Sequence, residues 1–164
     1  MYFSNSFFSQ SPGRALCVAR AKELLNSPEY VDILKKRGKD PKSLSFEETC
    51  AFTLSTYTES AVKNLDDNAI PVNYKELPDI LYEKIIPDMF GVPISEENLK
   101  FIEETAHLYS KGRGKLANQE FKDDSAKKEK AATQAIRDAA QLFLAESYEA
   151  LEKAADIRRA KFTS

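Results

Sequence analysis

The sequence predicts a mainly α-helical protein with about six helical segments and one short strand near residues 69–74. Apolar residues recur at spacings of three and four along most of the chain, as in helices with one buried face. A single β-like run interrupts this pattern. The length of 164 residues fits one domain, residues 1–164, that can bury one core.

The first helical region covers residues 12–37. One helix ends and another begins within it, at "NSPEY". Asn26 or Ser27 can cap a new helix there, and Pro28 suits the first turn because its missing N–H would be unpaired anyway. Gly38 is a helix stop. The region therefore contains two consecutive helices.

A second helix, residues 46–65, opens on "SFEE". Ser45 followed three residues later by Glu48 is the capping-box pattern, in which each side chain accepts a backbone N–H of the other residue. The apolar stripe expected on this helix is Ala51, Leu54, Thr58, Ala61 and Leu65.

The strand is predicted where Ala69, Ile70, Val72 and Tyr74 form an extended-looking run. Pro71 lacks a backbone N–H and would confine the strand to an edge or a strand start. One strand makes no sheet. The run therefore pairs with another molecule, lacks its partner strands, or is no strand.

Three prolines and a glycine organise the next segment. Pro78 suits the start of an apolar helix, 79–86, and Pro87 ends or kinks it. Phe90-Gly91-Val92 is expected to pack and turn.

Two more helices complete the prediction. Ser95 caps the first, whose buried face is Leu99, Ile102, Ala106 and Tyr109. After a basic loop at residues 110–125 comes one long helix, 126–159. Its inner face is Ala132, Ile136, Ala139, Phe143 and Leu151.

Composition excludes several classes of function. The net charge of −2 gives no general attraction to nucleic acid. The only histidine, His107, has no metal-ligand spacing around it, and no apolar run is long enough to span a membrane. Two cysteines, Cys17 and Cys50, make no disulfide framework in a chain this long, which favours a reducing compartment.

The N-terminus leaves two interpretations open. Residues 1–22 carry basic and serine residues with no acid before Glu23, a composition shared by mitochondrial transit peptides and by ordinary basic helix starts. We expect a cytoplasmic protein, with a mitochondrial location as the alternative.

Three segments resemble a sulfotransferase-like family of P-loop α/β enzymes. "IPVNYKELPDILYEKIIPDMFGV", residues 70–92, is similar to a "VNYxELP…W…I…P…FGI"-like segment late in those chains. "SFEETCAFTLSTYTESAV", residues 45–62, is similar to the helix before it. "SKGRGKLANQEFKDDSAKKEKAATQAIRDAAQ", residues 110–141, is similar to the tail. The resemblance spans roughly residues 2–151 and matches the C-terminal region of that fold.

The resemblance implies transfer of a sulfuryl group from 3′-phosphoadenosine-5′-phosphosulfate to a hydroxyl or amine. It also implies that Ser4 occupies the serine position of the family's 3′-phosphate motif, whose arginine would precede Met1. The phosphosulfate-binding loop has no counterpart. "GRGK", residues 112–115, lacks the spacing of a Walker loop and is expected to be a solvated basic loop. We therefore expect this chain alone to bind no donor and to be inactive.

Lys127 and Lys128, near the "DSxxK" match, are the other candidates for the 3′-phosphate, because a helix start favours anions. A solvated helix face is the competing interpretation for both lysines. No catalytic residue is predicted.

Three interpretations of the chain follow. The first is the C-terminal region of a sulfotransferase-like protein, as a fragment, an exon product or a reduced member. The second is a non-enzymatic helical scaffold or accessory subunit, and the third is an unrelated helical domain. In the first two, a protein partner or a missing N-terminal half covers apolar faces of helices 46–65, 79–86 and 126–159. The expected contacts involve Phe3, Phe7 and Phe8, or the segment Ile70–Val72.

Overall fold

A computed structural model describes residues 12–66, 69–106 and 125–162. Its α-helices are α1 (Pro12–Leu25), α2 (Pro28–Lys36), α3 (Phe46–Lys63), α4 (Glu96–Ala106), α5 (Ser125–Ala131), α6 (Gln134–Phe143) and α7 (Ala145–Phe162). A 3₁₀ turn at Tyr74–Glu76 and a π-helical segment at Leu81–Met89 lie between α3 and α4. The prediction of a mainly α-helical protein is confirmed.

The chain divides into two compact units. Unit 1 consists of the described residues of Met1–Ala69 and Asp124–Leu151, and unit 2 of those of Ile70–Asp123 and Glu152–Ser164. The boundary between the units falls inside α7. The prediction of one domain stays a prediction.

Unit 1 contains a continuous apolar core around Phe52 of α3. The Phe52 ring makes edge-to-face contacts with Tyr30 of α2, at 6.2 Å between ring centroids, and with Phe143 of α6, at 5.8 Å. Helix α3 packs against α1 and α6, and α1 packs against α2. The buried core residues are Leu24, Leu34, Ala51, Phe52, Ala139, Ala140, Phe143 and Leu144.

The predicted helix boundaries at the start of the chain are confirmed. Pro28 begins α2 directly after Ser27, which has extended backbone angles but makes no side-chain capping bond, and Gly38 has a φ of 72°. The Lys39 N–H donates to the Leu34 carbonyl and the Gly38 N–H to that of Lys35, both at 2.9 Å, which is the Schellman ending.

The capping box at α3 is also confirmed. The Glu48 N–H donates to the Ser45 Oγ at 3.1 Å, and the Ser45 N–H donates to the Glu48 Oε2 at 2.8 Å. This local pairing fixes the start of the helix that carries most of the core.

The predicted apolar stripe on α3 is wrong in part, since Ala61 is exposed. The buried residues of α3 are Cys50, Ala51, Phe52, Thr53 and Ser55. They extend around the helix because α1 and α6 both pack against it. The Thr53 and Ser55 hydroxyls donate to carbonyls of the preceding turn, at 2.9 Å each, so burying them leaves no unpaired group.

The predicted helix 126–159 is wrong as a single element, because it is three helices. Thr133 has extended backbone angles, and its Oγ1 accepts the Ile136 N–H at 3.3 Å, so it caps α6. A second break falls at Leu144, between α6 and α7. The predicted inner face is buried at Ile136, Ala139 and Phe143.

The predicted strand at residues 69–74 is not found. Residues 69–73 have no regular structure, Tyr74 opens the 3₁₀ turn, and the described residues contain no strand. Pro71 cannot donate to a ladder, and the Asn73 side chain accepts the Lys75 N–H at 3.1 Å. This local bond favours a turn over extension.

Pro87 does not end the helix of unit 2. The π-helical segment runs through it to Met89, and the Phe90 N–H donates to the Ile85 carbonyl at 3.2 Å. Phe90 and Val92 are exposed, so the expectation that they pack is wrong, although Gly91 does turn with a φ of 62°.

Ser95 caps α4 as predicted, since its Oγ accepts the Asn98 N–H at 3.2 Å. No α4 residue is fully buried; Leu99, Ile102 and Ala106 are half-buried. Tyr109 lies outside the described residues.

The sequence predicted no disulfide framework and did not foresee the disulfide that the structure contains, while the predicted reducing compartment stays a prediction. Cys17 of α1 and Cys50 of α3 are disulfide-bonded, with their Cα atoms 5.2 Å apart. They lie 33 residues apart in the sequence and meet because α1 packs against α3. Sequence spacing does not reveal which helices pack together.

None of the described helices combines the length and the apolar character that crossing a membrane requires.

Phe52→Ala should lower the free energy of unfolding of unit 1 by about 3–5 kcal/mol, because it removes the ring that contacts α2 and α6. Urea unfolding followed by circular dichroism measures the change. Phe101→Ala is the matched control. Its ring is 67% exposed, so it should change stability by less than about 0.5 kcal/mol. Equal losses in both variants would contradict a core centred on Phe52.

The interactions of the Glu48 carboxylate should contribute to the free energy of unfolding in a way that depends on pH in the acid range. Its hydrogen bonds from the Lys39 ammonium and the Ser45 N–H hold the pKa of this carboxyl below its usual value. A carboxyl with a lowered folded-state pKa stabilises the fold above the unfolded pKa, and this contribution is lost as pH falls through the folded pKa.

The stability difference between wild type and Glu48→Gln should therefore be constant near neutral pH and shrink below about pH 4.3. Urea unfolding across this pH range measures it. Glu47→Gln removes a neighbouring charge of α3 but keeps the Lys39–Glu48 pair, so it should retain the acid sensitivity of wild type. An E48Q difference that does not depend on pH would refute the assignment.

Candidate functional site

The "VNYKELP" motif that carries the family resemblance folds as a capping box in unit 2. The Asn73 N–H donates to the Glu76 Oε2 at 3.0 Å, and the Asn73 Oδ1 accepts the Lys75 N–H at 3.1 Å. The two side chains thus accept the backbone N–H groups of Asn73 and Lys75 at the start of the turn. The asparagine and glutamate of the motif fix the turn at Tyr74–Glu76.

The same two side chains tie this turn to the C-terminal part of α7. The Asn73 Nδ2 donates to the Glu152 Oε1 at 2.8 Å, and Arg159 forms an ion pair with Glu76. The Arg159 and Glu76 side chains are both about three-quarters buried, so solvent screens the pair only in part. The motif residues therefore act as a structural node, which we call the Asn73–Glu76 node.

Tyr82 is the one described phenol of the motif stretch with a strongly shifted pKa. Its hydroxyl donates to the Asp79 Oδ1 at 2.7 Å, and this bond raises the pKa of Tyr82 to about 12. The phenol stays protonated at neutral pH and does not serve as a general base there.

Large exposed apolar side chains are concentrated in unit 2. Seven of the ten in the described residues belong to it, namely Tyr74, Leu77, Leu81, Phe90, Val92, Phe101 and Ile157. We call these seven residues the apolar set. Its three aromatic members, Tyr74, Phe90 and Phe101, are 69%, 64% and 67% exposed.

Of the three predicted phosphate-binding residues, the structure describes two. Lys127 is exposed and Lys128 half-buried on α5, and Ser4 lies outside the described residues. Their cofactor role stays a prediction.

The surroundings of α5 test whether a nucleotide phosphate fits there. Arg137 of α6 reaches α5, but its guanidinium donates to the Glu129 carboxylate at 3.0 Å and to the Glu129 carbonyl at 2.8 Å. This cation is therefore already engaged. A phosphate site needs several preorganised donors, and Arg137 is not available as one while it is paired with Glu129.

Within residues 12–66, 69–106 and 125–162, no cluster of three His, Cys, Asp or Glu side chains is placed to bind a metal ion. His107, the loop at 110–124 and the aromatic residues Phe3, Phe7 and Phe8 lie outside these ranges.

Comparison of the chain with protein-family models, with curated proteins and with solved structures finds no match. The residues of the Asn73–Glu76 node and of the apolar set are therefore the basis for a functional proposal.

The sequence predicted only part of the apolar set. It predicted an uncovered apolar face on helix 79–86, which contains Leu81, but Phe90 and Val92 were expected to pack and are exposed. The signal that favoured exposure was the density of Pro and Gly between residues 71 and 93, which leaves little regular helix for these side chains to pack on.

Asn73→Ala should destabilise unit 2 by about 1 kcal/mol, because it removes the cap of the turn and the bond to Glu152. Asn73→Asp keeps the capping oxygen but loses the donor to Glu152. Comparing the two variants therefore distinguishes the contribution of the cap from that of the bond to Glu152. Proton resonances of Tyr74 and Tyr82 followed through urea unfolding report the change locally. Wild-type stability of unit 2 in N73A would show that the node is dispensable.

Proposed function

We propose that the chain is the C-terminal helical part of a sulfotransferase-like protein. In this proposal it completes the catalytic domain only together with the polypeptide that carries the phosphosulfate-binding strand and loop. The single observation that carries the proposal is that the family-like segment and most of the apolar set occupy the same part of the chain. The stretch that resembles the family, residues 70–92, also contains five of the seven members of the apolar set.

The energetics of the apolar set support a covering polypeptide. Burying one large apolar side chain contributes about 1.5–3 kcal/mol, so covering several of them is worth a large part of a domain's stability. The aromatic members Tyr74, Phe90 and Phe101 are those enriched in protein interfaces.

The proposed role of the motif is positional. In this proposal the Asn73–Glu76 node holds the turn rigid, so that Tyr74 and Leu77 present their exposed side chains in one conformation to the covering polypeptide. Preorganisation of this kind lowers the entropy cost of association. The donor is 3′-phosphoadenosine-5′-phosphosulfate, and Ser4, Lys127 and Lys128 are the residues of this chain proposed to reach its 3′-phosphate.

A second candidate function is a non-enzymatic scaffold or accessory subunit that uses the same apolar set. The closed core of unit 1 favours it, because that unit needs no further polypeptide to bury Phe52 and its neighbours. The two functions differ in whether the assembled protein binds the donor nucleotide.

The purified chain alone should transfer no sulfuryl group from labelled 3′-phosphoadenosine-5′-phosphosulfate to a panel of hydroxyl and amine acceptors. The reason for this expectation is that the sequence of this chain has no counterpart of the family's phosphosulfate-binding loop, which would supply the preorganised donors. The same assay on a protein extended along the reading frame upstream of Met1 should give turnover, provided that this frame encodes a strand followed by a Gly-rich Ser/Thr loop.

Two variants of the extended protein sharpen the test. Tyr74→Ser and Phe101→Ser should weaken turnover together with stability, whereas Tyr57→Ser, an exposed aromatic of unit 1, should change neither. Turnover by the chain alone that is lost in Ser4→Ala would overturn the requirement for a second part. An extended protein that binds no adenosine 3′,5′-bisphosphate would leave the scaffold as the better function.

A further inference from the structure

The Cys17–Cys50 disulfide closes a loop that contains part of the core of unit 1. The two cysteines are 33 residues apart, and the chain between them includes the rest of α1, all of α2 and the start of α3. Leu24 and Leu34 of the core lie within this loop. A disulfide lowers the conformational entropy of the unfolded chain, and the effect increases with the length of the loop that it closes. The bond therefore favours folding of unit 1 by restricting its unfolded state.

Folding in turn favours the bond. Helix α1 packs against α3, and this contact places the Cα atoms of Cys17 and Cys50 5.2 Å apart, within the range that a disulfide spans. In the unfolded chain the same two thiols meet only when the whole loop closes by chance. Because the two equilibria are linked, the disulfide stabilises the fold by the same factor by which the fold stabilises the disulfide.

The aromatic contacts at the centre of the core do not involve the sulfur atoms. The Phe52 ring contacts the Tyr30 and Phe143 rings, at 6.2 Å and 5.8 Å between ring centroids. A buried thiol packs as a small apolar group, so Cys17 and Cys50 suit the same surroundings after reduction. The dithiol form is therefore expected to keep the helices of unit 1.

We propose that the Cys17–Cys50 pair makes the stability of unit 1 depend on the redox state of its surroundings. The disulfide and dithiol forms share one fold, but the ratio of folded to unfolded molecules is about a hundredfold higher in the disulfide form. The effect extends over α1, α2, α3 and α6 together, because all four helices contribute to the core around Phe52.

The co-reactant is a small-molecule disulfide such as oxidised glutathione. One cysteine thiolate attacks a sulfur of the small disulfide, which forms a mixed disulfide and releases one small thiolate. The second cysteine thiolate then attacks the protein sulfur of the mixed disulfide and releases the other small thiolate. The protein loses two electrons and two protons, and the small disulfide gains them as two thiols. A small dithiol drives the reverse reaction.

Burial of both sulfurs determines when the pair reacts. A thiolate must reach one of the two sulfur atoms, and in the folded unit Cys17 is 2% exposed and Cys50 is fully buried. Reduction of the folded protein is therefore slow, and a molecule that has formed the disulfide retains it while unit 1 stays folded.

Native-state hydrogen exchange of the full chain, followed by mass spectrometry, tests the proposal. Oxidised protein is compared with protein that has been reduced in urea and refolded with a phosphine reductant, and thiol titration confirms the two states. Amides of α3 and α6 that exchange by unfolding of unit 1 should exchange about a hundredfold faster in the reduced protein. Amides of α4, which belongs to unit 2, should not change and provide the internal control.

Matched variants separate the bond from the effect of the reductant. Cys17→Ala and Cys50→Ala should each exchange rapidly in α3 and α6, with no response to reductant. Val18→Ala changes a neighbouring α1 side chain that is 38% exposed and keeps both cysteines, so it should respond to reductant as wild type does.

Three results would overturn the proposal. The first is equal exchange of α3 and α6 in oxidised and reduced wild type. The second is faster exchange confined to α1, since the bond would then hold one helix instead of the unit. The third is loss of the helical circular dichroism signal on reduction, because the two forms would then not share one fold.

Discussion

The packing of the Phe52 ring between Tyr30 and Phe143 is the interaction on which the rest of unit 1 depends. It joins α2 and α3, which follow one another in the sequence, to α6, which lies much further along the chain. The Phe143 ring also contacts Arg37, whose guanidinium carbon lies 5.6 Å from the ring centroid and which donates to Glu59 at 2.7 Å. One aromatic cluster therefore sets the positions of the helices and of the ion pair that lies against them.

Unit 2 is stabilised by a different kind of interaction. Its aromatic side chains Tyr74, Phe90 and Phe101 are exposed, and polar contacts of the Asn73–Glu76 node with Glu152 and Arg159 hold the described turn to α7. Polar contacts fix geometry but contribute modest net stability, since water competes for the same groups. The described part of this unit leaves the members of the apolar set exposed, and the proposed function uses their exposure.

Features encoded by a few neighbouring residues were predictable from the sequence. The capping box at Ser45, the stop at Gly38 and the cap at Ser95 each depend on local backbone groups, and each is present. Thr133 caps α6 by the same chemistry. Its apolar neighbours continue the helical pattern on both sides, so one long helix was predicted there. The Cys17–Cys50 bond and the exposure of Ala61 depend on which helices pack together, and no short stretch of sequence encodes that. The candidate site was predictable only as a motif, because the bond from Asn73 to Glu152 spans 79 residues.

Native-state hydrogen exchange followed by mass spectrometry tests most directly whether unit 1 is stable by itself while unit 2 lacks a comparable core. Amides of α3 and α6 should exchange only by global unfolding of unit 1, because both helices contribute to the Phe52 core. Amides of the π-helical segment and α4 should exchange much faster, at rates set by local opening. Equally strong protection of both units in the isolated chain would contradict the account, since unit 2 would then need no covering polypeptide.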